Sequence, residues 1–549
     1  MKKKTLTVVV ATVVILLLVT VISFVFLANR KESDIDQKTD ISEDMEKDKV
    51  DEEEEPSTVI VESEDTGVNS IFEEALLYAL GKDRAQDASQ ALTLLEEIAE
   101  TNMDAQFMVG EMYLQGIGTE QDMKKAAEYL EKAFLNGNVN AYEIYGKMCF
   151  LGEEPILQDY EKAASVFAAI DSENGQALGT LGMMYSLGMG VNVDFDVANQ
   201  YLQKAAELGY EKAGEFQALI QARVTGTEKE LPVITQSGLQ KGEIVYKDAP
   251  ELADMVSEYT NQLLETQKYE RFDTEIDAIL GMDVNLTTFI AIFGKENWLF
   301  LQNPNDGDSY HDYIGDNAYT EQELAAIASH LLEEKAMIEA TGAEFVLLLI
   351  PNKEIIYSEK MPTYIQRVSE ETKTDKLVAY LKQNTDISIV YMKDQYLAYK
   401  NAYQLYYKTD THCNMQGSFL AIAELLNTKY DKQIKIENTL FEEHMHNYCG
   451  DLSVLIGRQS RYNIDTVYYL PESSVSEEQK VDDSLMLIGD SFSEFLNRQA
   501  LYYFKGGVNH VMIMNHNYDF YQATKENLQD KEVDIVVWEC AERYLDRLK

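Results

Sequence analysis

The stretch Ser484–Ser493, which reads SLMLIGDSFS, decides the fold of the C-terminal half of this chain. Its apolar residues 485–488 predict a buried strand, and Gly489 permits a tight exit from that strand. A helix that begins near Ser493 would direct its first backbone N–H groups toward Ser491 at the tip of the turn. Ser491 is therefore either part of an ordinary strand-to-helix turn or a nucleophile held at the end of a strand.

Other short apolar runs in this half alternate with helical patterns. A helical stretch over about 320–340 precedes the run 344–350, which stops at Pro351, and similar runs occupy 387–392, 510–514 and 533–538. Buried strands of a mostly parallel sheet have this pattern, so we predict an α/β three-layer domain over 286–549. Functional groups in such sheets collect beyond the carboxyl ends of the strands, which is where Ser491 lies.

A serine hydroxyl needs a base to act as a nucleophile near neutral pH, and His412 has the most suggestive setting among the seven histidines. It lies in the loop sequence KTDTHCNMQG (408–417), two residues after Asp410, and a helix is predicted to begin near Met415. An aspartate at this spacing can orient the imidazole and fix its tautomer, which leaves the other ring nitrogen for Ser491. Alternatively, Asp410 and His412 belong to a helix N-terminal loop that is satisfied by local hydrogen bonds.

Residues 71–222 repeat themselves with a period of 36. Ala105, Ala141, Ala177 and Ala213 keep this step, as do Gly110, Gly146 and Gly182, and Gly116, Gly152 and Gly188. A regular period of this length predicts a solenoid of helical hairpins. The pattern resembles the Sel-one-like repeat, a relative of the tetratricopeptide repeat, although Glu154 replaces the second glycine of the middle copy. The resemblance implies a protein-binding or scaffolding surface, and a simple spacer is the alternative. Residues 223–285 are predicted to form a connector with some helix.

The first 70 residues predict an anchor and a spacer. Three lysines at positions 2–4 precede 22 uncharged residues, 6–27, and Arg30 and Lys31 follow. This length predicts a transmembrane helix within 1–31, with the N-terminus inside and the bulk of the chain outside the cytoplasm; a cleaved signal peptide is the alternative. Between 32 and 65 there are 16 acidic and 3 basic residues, so we expect 32–70 to be a disordered linker.

Composition excludes several functions. At 549 residues the chain is expected to hold two or three domains, and its formal net charge of −48 argues against nucleic acid and anionic lipid as partners. The four cysteines are far apart and form no CxxC pair, which argues against a disulfide framework. We find no metal-ligand spacing and predict no cofactor. His444 and His446 suggest a metal site, but a surface loop explains them better.

Five stretches carry a further resemblance. They are GKENWLFLQN (294–303), LLLIPNKEIIYSEKMP (347–362), KTDTHCNMQG (408–417), LIGDSFSEFL (487–496) and VDIVVWECAERYL (533–545). Together, and in this order, they resemble the alginate O-acetyltransferase AlgX/AlgJ-like branch of the SGNH hydrolase superfamily. Ordinary SGNH hydrolases place the serine early and Asp-x-x-His late, whereas this branch, like the present chain, places Asp-x-His before the serine.

The resemblance implies a catalytic triad of Ser491, His412 and Asp410. The family commonly has tryptophan after the histidine, where this chain has Cys413; the adjacent Cys413 and His412 are not expected to form a nucleophile pair. The oxyanion hole is expected to use a backbone N–H of Ser491 or Phe492, together with Asn515 or Tyr518; Asn515 is also a common turn residue. Arg543 is expected to pair with a carboxylate.

The resemblance also implies the transfer of acetyl groups onto hydroxyls of a cell-surface or exported polysaccharide through an acetyl-serine intermediate. Hydrolysis of acetyl esters would use the same triad, so only the resemblance favours transfer over hydrolysis. A membrane-bound O-acyltransferase that supplies acetyl groups, or an export complex, is the expected partner of the repeats. The alternative is a membrane-anchored scaffold or glycan-binding protein without catalytic activity.

Overall fold

The computed structural model describes residues 59–63, 66–170, 173–232, 241–246, 249–281, 291–303, 306–513, 519–528 and 532–549. The predicted transmembrane segment 6–27, the acidic part of the linker up to residue 58, and Asn515 and Tyr518 lie outside these residues. Within the described ranges, no helix has the length and apolar character that crossing a membrane requires.

The repeat region is a succession of helices that pack in consecutive pairs, which confirms the predicted helical repeats. A short strand, β1 (Val59–Ser63), precedes them. The helices are α1 (Thr66–Leu80), α2 (Ala88–Ile98), α3 (Met103–Gln115), α4 (Met123–Leu135), α5 (Ala141–Leu151), α6 (Tyr160–Ala169), α7 (Gly175–Leu187), α8 (Phe195–Glu207) and α9 (Lys212–Ile220). The second helix of each hairpin begins after an aspartate whose carboxylate caps the first turn: Asp87, Asp122, Asp159 and Asp194.

Glycines recur in the repeats for two physical reasons. Gly116 and Gly188 adopt left-handed backbone conformations, with φ of 70° and 71°, and end α3 and α7. Gly110 and Gly182 instead allow two helices to approach closely, because a Cβ atom at either position would lie 2.6 Å from the Cγ of Leu130 or Leu202. The 36-residue glycine pattern is therefore a packing requirement as well as a turn signal.

The predicted connector is an integral part of the repeat core rather than a linker. It contains β2 (Gly242–Tyr246), α10 (Pro250–Thr266) and α11 (Glu270–Leu280). Strand β1 pairs in parallel with β2, so residues 59–63 do not belong to the disordered linker predicted over 32–70; Val59, Ile60 and Val61 give this segment the β-forming character that the acidic part lacks.

Helices α10 and α11 cover one side of the repeats. Helix α10 packs against α1 and α3, and the Gln115 side chain of α3 donates a hydrogen bond to the carbonyl of Leu263 at 3.0 Å. The Phe272 ring of α11 lies 5.5 Å from Phe150 and 6.2 Å from Phe167. Part of the surface of the repeats is thus occupied by the chain's own helices.

The C-terminal α/β domain adds two hairpins and a parallel sheet. Its strands are β3 (Ala291–Phe293), β4 (Leu299–Leu301), β5 (Glu344–Ile350), β6 (Ser388–Tyr391), β7 (Glu442–Tyr448), β8 (Asp465–Tyr469), β9 (Leu485–Gly489), β10 (Val508–Met512) and β11 (Ile535–Ala541). Its helices are α12 (Ser309–Ile314), α13 (Glu321–Glu339), α14 (Lys353–Ile356), α15 (Lys373–Asn384), α16 (Lys393–Tyr399), α17 (Met415–Tyr430), α18 (Asp451–Leu455), α19 (Ser493–Tyr503) and α20 (Phe520–Leu528).

The central sheet has the strand order β10-β9-β11-β5-β6, and every pair in it is parallel. This confirms the predicted α/β domain with a parallel sheet. All five predicted strands are present, with ends that differ by a few residues; the last one runs over Ile535–Ala541 instead of 533–538. Helix α13 begins after Thr320, which forms a capping box with Glu323.

The repeats and the α/β domain share a buried contact. Arg458, just after α18, forms a buried ion pair with Glu275 of α11, and Arg461 donates to the carbonyl of Leu151 at 2.7 Å. Leu452, Ile456 and Tyr462 belong to the hydrophobic core of the repeats. Helix α18 is therefore fixed from the repeat side, and its first residue, Asp451, reaches the candidate site.

Candidate active site

Ser491 lies at the carboxyl end of β9, which pairs with β10 and β11 in the parallel sheet. Residues 485–489 are all buried, the chain turns at Asp490, and α19 begins two residues after Ser491. The turn is closed by a hydrogen bond from the Ser493 N–H to the carbonyl of Asp490 at 3.1 Å. Ser491 itself is partly exposed, so its hydroxyl lies at the surface of a rigid, buried strand.

The structure brings the three predicted side chains into one hydrogen-bonded chain. His412 Nε2 lies 2.8 Å from Ser491 Oγ, and His412 Nδ1 lies 2.7 Å from Asp410 Oδ1. The backbone N–H of His412 also donates to Asp410 Oδ1 at 3.0 Å. With Asp410 ionised, Nδ1 carries the proton and Nε2 is left to accept from the serine, which is the arrangement of a serine nucleophile with its base.

The Asp410 carboxylate is held by four donors. Besides the two from His412, Oδ2 accepts the Tyr448 hydroxyl at 2.8 Å and the Asp451 N–H at 3.0 Å. Burial by itself would raise the pKa of Asp410, but the hydrogen bonds and the charge of His412 outweigh it and lower the pKa below its ordinary value. Asp410 is therefore ionised throughout the neutral range, which keeps the imidazole in the required tautomer.

Asp451 is a site residue that the sequence analysis missed. Its carboxylate accepts the N–H and the hydroxyl of Thr411 at 2.8 and 2.6 Å, and Oδ2 lies 3.6 Å from His412 Nδ1. Asp410, His412 and Asp451 each offer one ligand atom within 4.8 Å of the others, but the hydrogen bonds described here account for these atoms. No local pattern marks Asp451, since it reaches the site from α18 across 41 residues of chain.

Lys353 holds the loop that carries Asp410 and His412. Its buried ammonium donates to the backbone carbonyls of Tyr407, Lys408 and Asp410 at 3.1, 3.1 and 2.8 Å. Burial lowers the pKa of Lys353 to about 8. Asp465 holds the other side of the loop, because its carboxylate accepts the backbone N–H groups of Lys408 and Thr409 at 2.8 and 2.9 Å. The Asp-Thr-His segment is thus fixed before any substrate binds.

A second pair of carboxyl groups lies beneath the nucleophile turn. Asp490 is buried and accepts the N–H groups of Phe492 and Ala541 at 2.9 and 2.8 Å. Glu539, on the adjacent β11, is fully buried, and neither of its carboxyl oxygens has a hydrogen-bond partner among the described residues. Burial, followed by the nearby charge of Asp490, raises the pKa of Glu539 well above its ordinary value. Gly489 is required here, since a Cβ atom would lie 2.4 Å from Glu539 Oε2.

The structure does not bring the residues expected in the oxyanion hole together in the way that it brings the triad together. The N–H of Phe492 is donated to Asp490 Oδ1, so it points into the turn instead of toward a substrate. Asn515 and Tyr518 lie outside the described residues. The Phe492 ring instead contacts the His412 imidazole at 4.8 Å between centroids, and the Phe495 ring lies 5.8 Å from the imidazole.

The structure places three further residues that the sequence analysis singled out, and Arg543 is the one that differs from its prediction. Arg543 forms no ion pair within the described part of the chain; its guanidinium lies 5.2 Å from the Phe492 ring and 4.9 Å from the Tyr544 ring. Cys413 is completely buried in the core of the α/β domain, and burial raises the pKa of its thiol, so it is not a thiolate beside His412. His446 is exposed on β7 and pairs with Glu443 at 3.0 Å.

Comparison with known protein families defines the class of both parts. Residues 291–542 match the family described as an SGNH hydrolase-like domain, acetyltransferase AlgX. Residues 104–138, 139–165 and 177–210 match the Sel1 repeat. The chain therefore carries an SGNH hydrolase-like domain of the AlgX acetyltransferase type, preceded by Sel1 repeats, which confirms both resemblances.

Solved structures with similar folds include three with low sequence identity to this chain. The O-acetyltransferase domain of Pseudomonas putida AlgJ is 19% identical, with a TM-score of 0.35, and the match covers 47% of this chain and 93% of that one. Pseudomonas aeruginosa AlgX is 16% identical, with a TM-score of 0.33, over 48% of this chain and 63% of that one. A Sel1 repeat protein from Oxalobacter formigenes is 19% identical, with a TM-score of 0.25, over 39% and 80%. No curated protein matches the chain significantly.

Proposed function

We propose that this chain is a membrane-anchored, extracytoplasmic enzyme that transfers acetyl groups to hydroxyls of a cell-surface or exported polysaccharide. The family of the α/β domain supports acetyl transfer as the class of chemistry. The observation that carries the proposal is the continuous hydrogen-bonded chain from Ser491 through His412 to Asp410, with distances of 2.8 and 2.7 Å. Such a chain is what a serine needs to become a nucleophile at neutral pH.

In the first half-reaction, His412 Nε2 takes the proton of Ser491 Oγ while Oγ attacks the carbonyl carbon of the acetyl donor. The bond from that carbon to the donor's leaving oxygen then breaks, and His412 returns the proton to this oxygen. The product is an acetyl ester on Ser491. Asp410 stabilises the imidazolium that exists between the two proton transfers, and its lowered pKa keeps it ionised during both.

In the second half-reaction, a sugar hydroxyl gives its proton to His412 and attacks the acetyl-serine carbonyl. The ester bond to Ser491 Oγ breaks, and His412 returns the proton to that oxygen. Water in place of the sugar yields acetate, so the same residues support an esterase. Exclusion of water by a bound acceptor decides the partition between transfer and hydrolysis.

The oxyanion of both half-reactions needs donors near Ser491. Because the Phe492 N–H is donated to Asp490, we favour the N–H of Ser491 as the backbone donor, with the amide of Asn515 as its companion. Phe492 then acts through its ring, which limits the movement of the His412 imidazole.

The proposed location rests on the uncharged segment 6–27, which is long enough to span a bilayer after the lysines at positions 2–4. An enzyme on the outer side needs acetyl groups supplied through the membrane, so a membrane-bound O-acyltransferase is the proposed partner. Since α10 and α11 already cover one side of the repeats, such a partner would bind another side of them.

The test is active-site labelling of the full-length chain in detergent with a fluorophosphonate probe. Wild-type protein and the Ser493→Ala variant should be labelled, and Ser491→Ala should not. Ser493 is a matched control, because it is two residues away, fully buried, and hydrogen-bonded to His510 at 2.8 Å. Acetate release and acetyl-sugar formation from an aryl acetate and candidate glycans are then measured separately.

Absence of labelling in both the wild type and the Ser493→Ala variant would instead favour the non-catalytic scaffold. Labelling with acetate release but no acetyl-sugar, over a broad panel of glycans, would favour an esterase.

A further inference from the structure

A cleft lined partly by α19, the helix that follows Ser491, has no role in the chemistry described above. It has a volume of about 560 Å³, which is within the roughly 300–1,000 Å³ of small-molecule sites. Residues of the β7–β8 hairpin and of α19 line most of it: His444, Tyr468, Tyr469, Arg498, Leu501 and Tyr502. Leu501 is 55% exposed and Tyr469 is 38% exposed, so the cleft presents apolar and aromatic surface to solvent. We call it the hairpin cleft.

The hairpin cleft shares two elements, α19 and β7, with the surroundings of the His412 imidazole. The Phe495 ring lies 5.8 Å from the imidazole, and the guanidinium of Arg498, which lines the cleft, lies 5.7 Å from that same ring. The cleft is also lined by Met415, three residues after His412. Strand β7 reaches the triad directly, because the Tyr448 hydroxyl at its end donates to Asp410. The cleft is therefore built on two elements, α19 and β7, that also contact the triad.

The charges around the hairpin cleft do not suit an anionic ligand. Arg498 is the only arginine or lysine among the lining residues, and Glu494 already pairs with it at 3.1 Å. On the hairpin, Glu442 accepts the Tyr469 hydroxyl, and Glu443 pairs with His446. Residues 291–549 together carry 24 basic and 41 acidic side chains. A polyuronate or sulfated chain would have to approach this acidic surface without an available cation.

We infer that the hairpin cleft binds the acceptor, and that this acceptor is an uncharged polysaccharide; the inference rests on the proposed function. Tyrosine rings offer a flat apolar face and a polar edge, which suit the apolar faces and hydroxyl groups of neutral sugar rings. Glu442 and Glu494, which contact the lining residues Tyr469 and Arg498, repel the carboxylates and sulfates of an anionic chain. A sugar bound there presents a hydroxyl to the acetyl-serine on Ser491.

Binding is tested apart from catalysis in the Ser491→Ala chain at full length, with neutral β-glucan oligosaccharides and oligouronates of matched length as probes. Isothermal titration calorimetry should detect binding of the neutral probe. The oligouronate should bind at least about tenfold more weakly at low salt. Tyr502→Ala and Tyr469→Ala in this background should each weaken binding of the neutral probe by about 2–10-fold. Tyr521→Ala, which removes an equally exposed tyrosine of α20 outside the cleft, should not.

Acetyl transfer is then measured with Ser491 intact, as the ratio of acetyl-sugar formed to aryl acetate hydrolysed. This ratio should fall in Tyr502→Ala and stay at the wild-type value in Tyr521→Ala. The double variant Glu442→Lys/Glu443→Lys should lower the ratio of acetyl transfer to the neutral oligosaccharide over transfer to the oligouronate.

The possible failures are distinct. Tight binding of the oligouronate, no binding of either probe, or an unchanged affinity in both tyrosine variants would overturn the cleft assignment. Binding that depends on Tyr502, without labelling of Ser491 or any acetyl transfer, would retain the cleft and reject the proposed enzyme. Capture of a protein segment by the cleft, with no glycan affinity, would also reject the assignment.

Discussion

Replacing Asp410 with asparagine tests the electrostatic logic of the site most directly. The Asp410 carboxylate accepts four hydrogen bonds, and its two oxygens each take two of them. An asparagine has one accepting oxygen and one donating NH2 group. If the oxygen faces His412, the NH2 group opposes the Asp451 N–H and leaves a buried donor unsatisfied, which costs about 1–3 kcal/mol of stability.

If the amide flips, the NH2 group faces His412 Nδ1, which must then accept. The proton moves to Nε2, and Nε2 can no longer take the proton of Ser491. Both arrangements impair catalysis, so Asp410→Asn should lower kcat for aryl acetate hydrolysis by roughly 10³–10⁴-fold, as aspartate-to-asparagine changes do in serine triads. Asp451→Asn is the matched control: its backbone N–H still donates to Asp410, and a loss of more than about tenfold is not expected.

The same variant makes a prediction about acid stability. The pKa of Asp410 is lower in the folded chain than its ordinary value of 3.8, so its stabilising effect is present above that pH and is lost as the pH falls through the folded-state value. The difference in unfolding free energy between wild type and Asp410→Asn should therefore shrink as the pH decreases below about 4. Chemical denaturation at several pH values measures it. An Asp410→Asn enzyme with activity within tenfold of wild type would refute the triad.

Three other substitutions probe the parts that hold the site. Lys353→Met removes an ammonium that donates to three carbonyls and should cost about 3 kcal/mol in urea denaturation at pH 7. The pKa of Lys353 is about 8 in the folded chain and 10.5 ordinarily, so between these pH values the unfolded chain holds the Lys353 proton more often than the folded chain does. The unfolding free energy of the wild type should therefore increase relative to that of Lys353→Met as the pH rises from about 8 to 10.5. Gly489→Ala forces a Cβ to 2.4 Å from Glu539 Oε2 and should cost about 1–3 kcal/mol, and a melting temperature equal to wild type would contradict this. Phe272→Ala removes a ring between Phe150 and Phe167; a loss of about 3–5 kcal/mol is expected, with faster proteolysis after α11, and unchanged proteolysis would count against α11 as part of the repeat core.

The repeats illustrate how tertiary structure changes the meaning of a sequence pattern. The 36-residue period predicts helical hairpins, because close helix packing requires Gly110 and Gly182 at equivalent places. The period says nothing about what lies against the repeats. In the structure α10 and α11 lie there, and Arg458 and Glu275 join the repeats to the α/β domain in a buried ion pair. The repeats therefore support the segment that presents Asp451 to the site.

The sequence by itself determined what depends on local patterns. Apolar runs that alternate with helices predict the parallel sheet, the glycine after β9 predicts the turn at Ser491, and the Asp-x-His spacing places Asp410 beside His412, since two residues of one loop suffice for that contact. Only the tertiary structure decided which distant groups complete the site. Lys353, Tyr448 and Asp451 come from three separate elements, and no local pattern marks them, because each acts through a hydrogen bond that exists only when the chain is folded. The same holds for Phe492, whose N–H the sequence assigns to the substrate and the folded turn donates to Asp490.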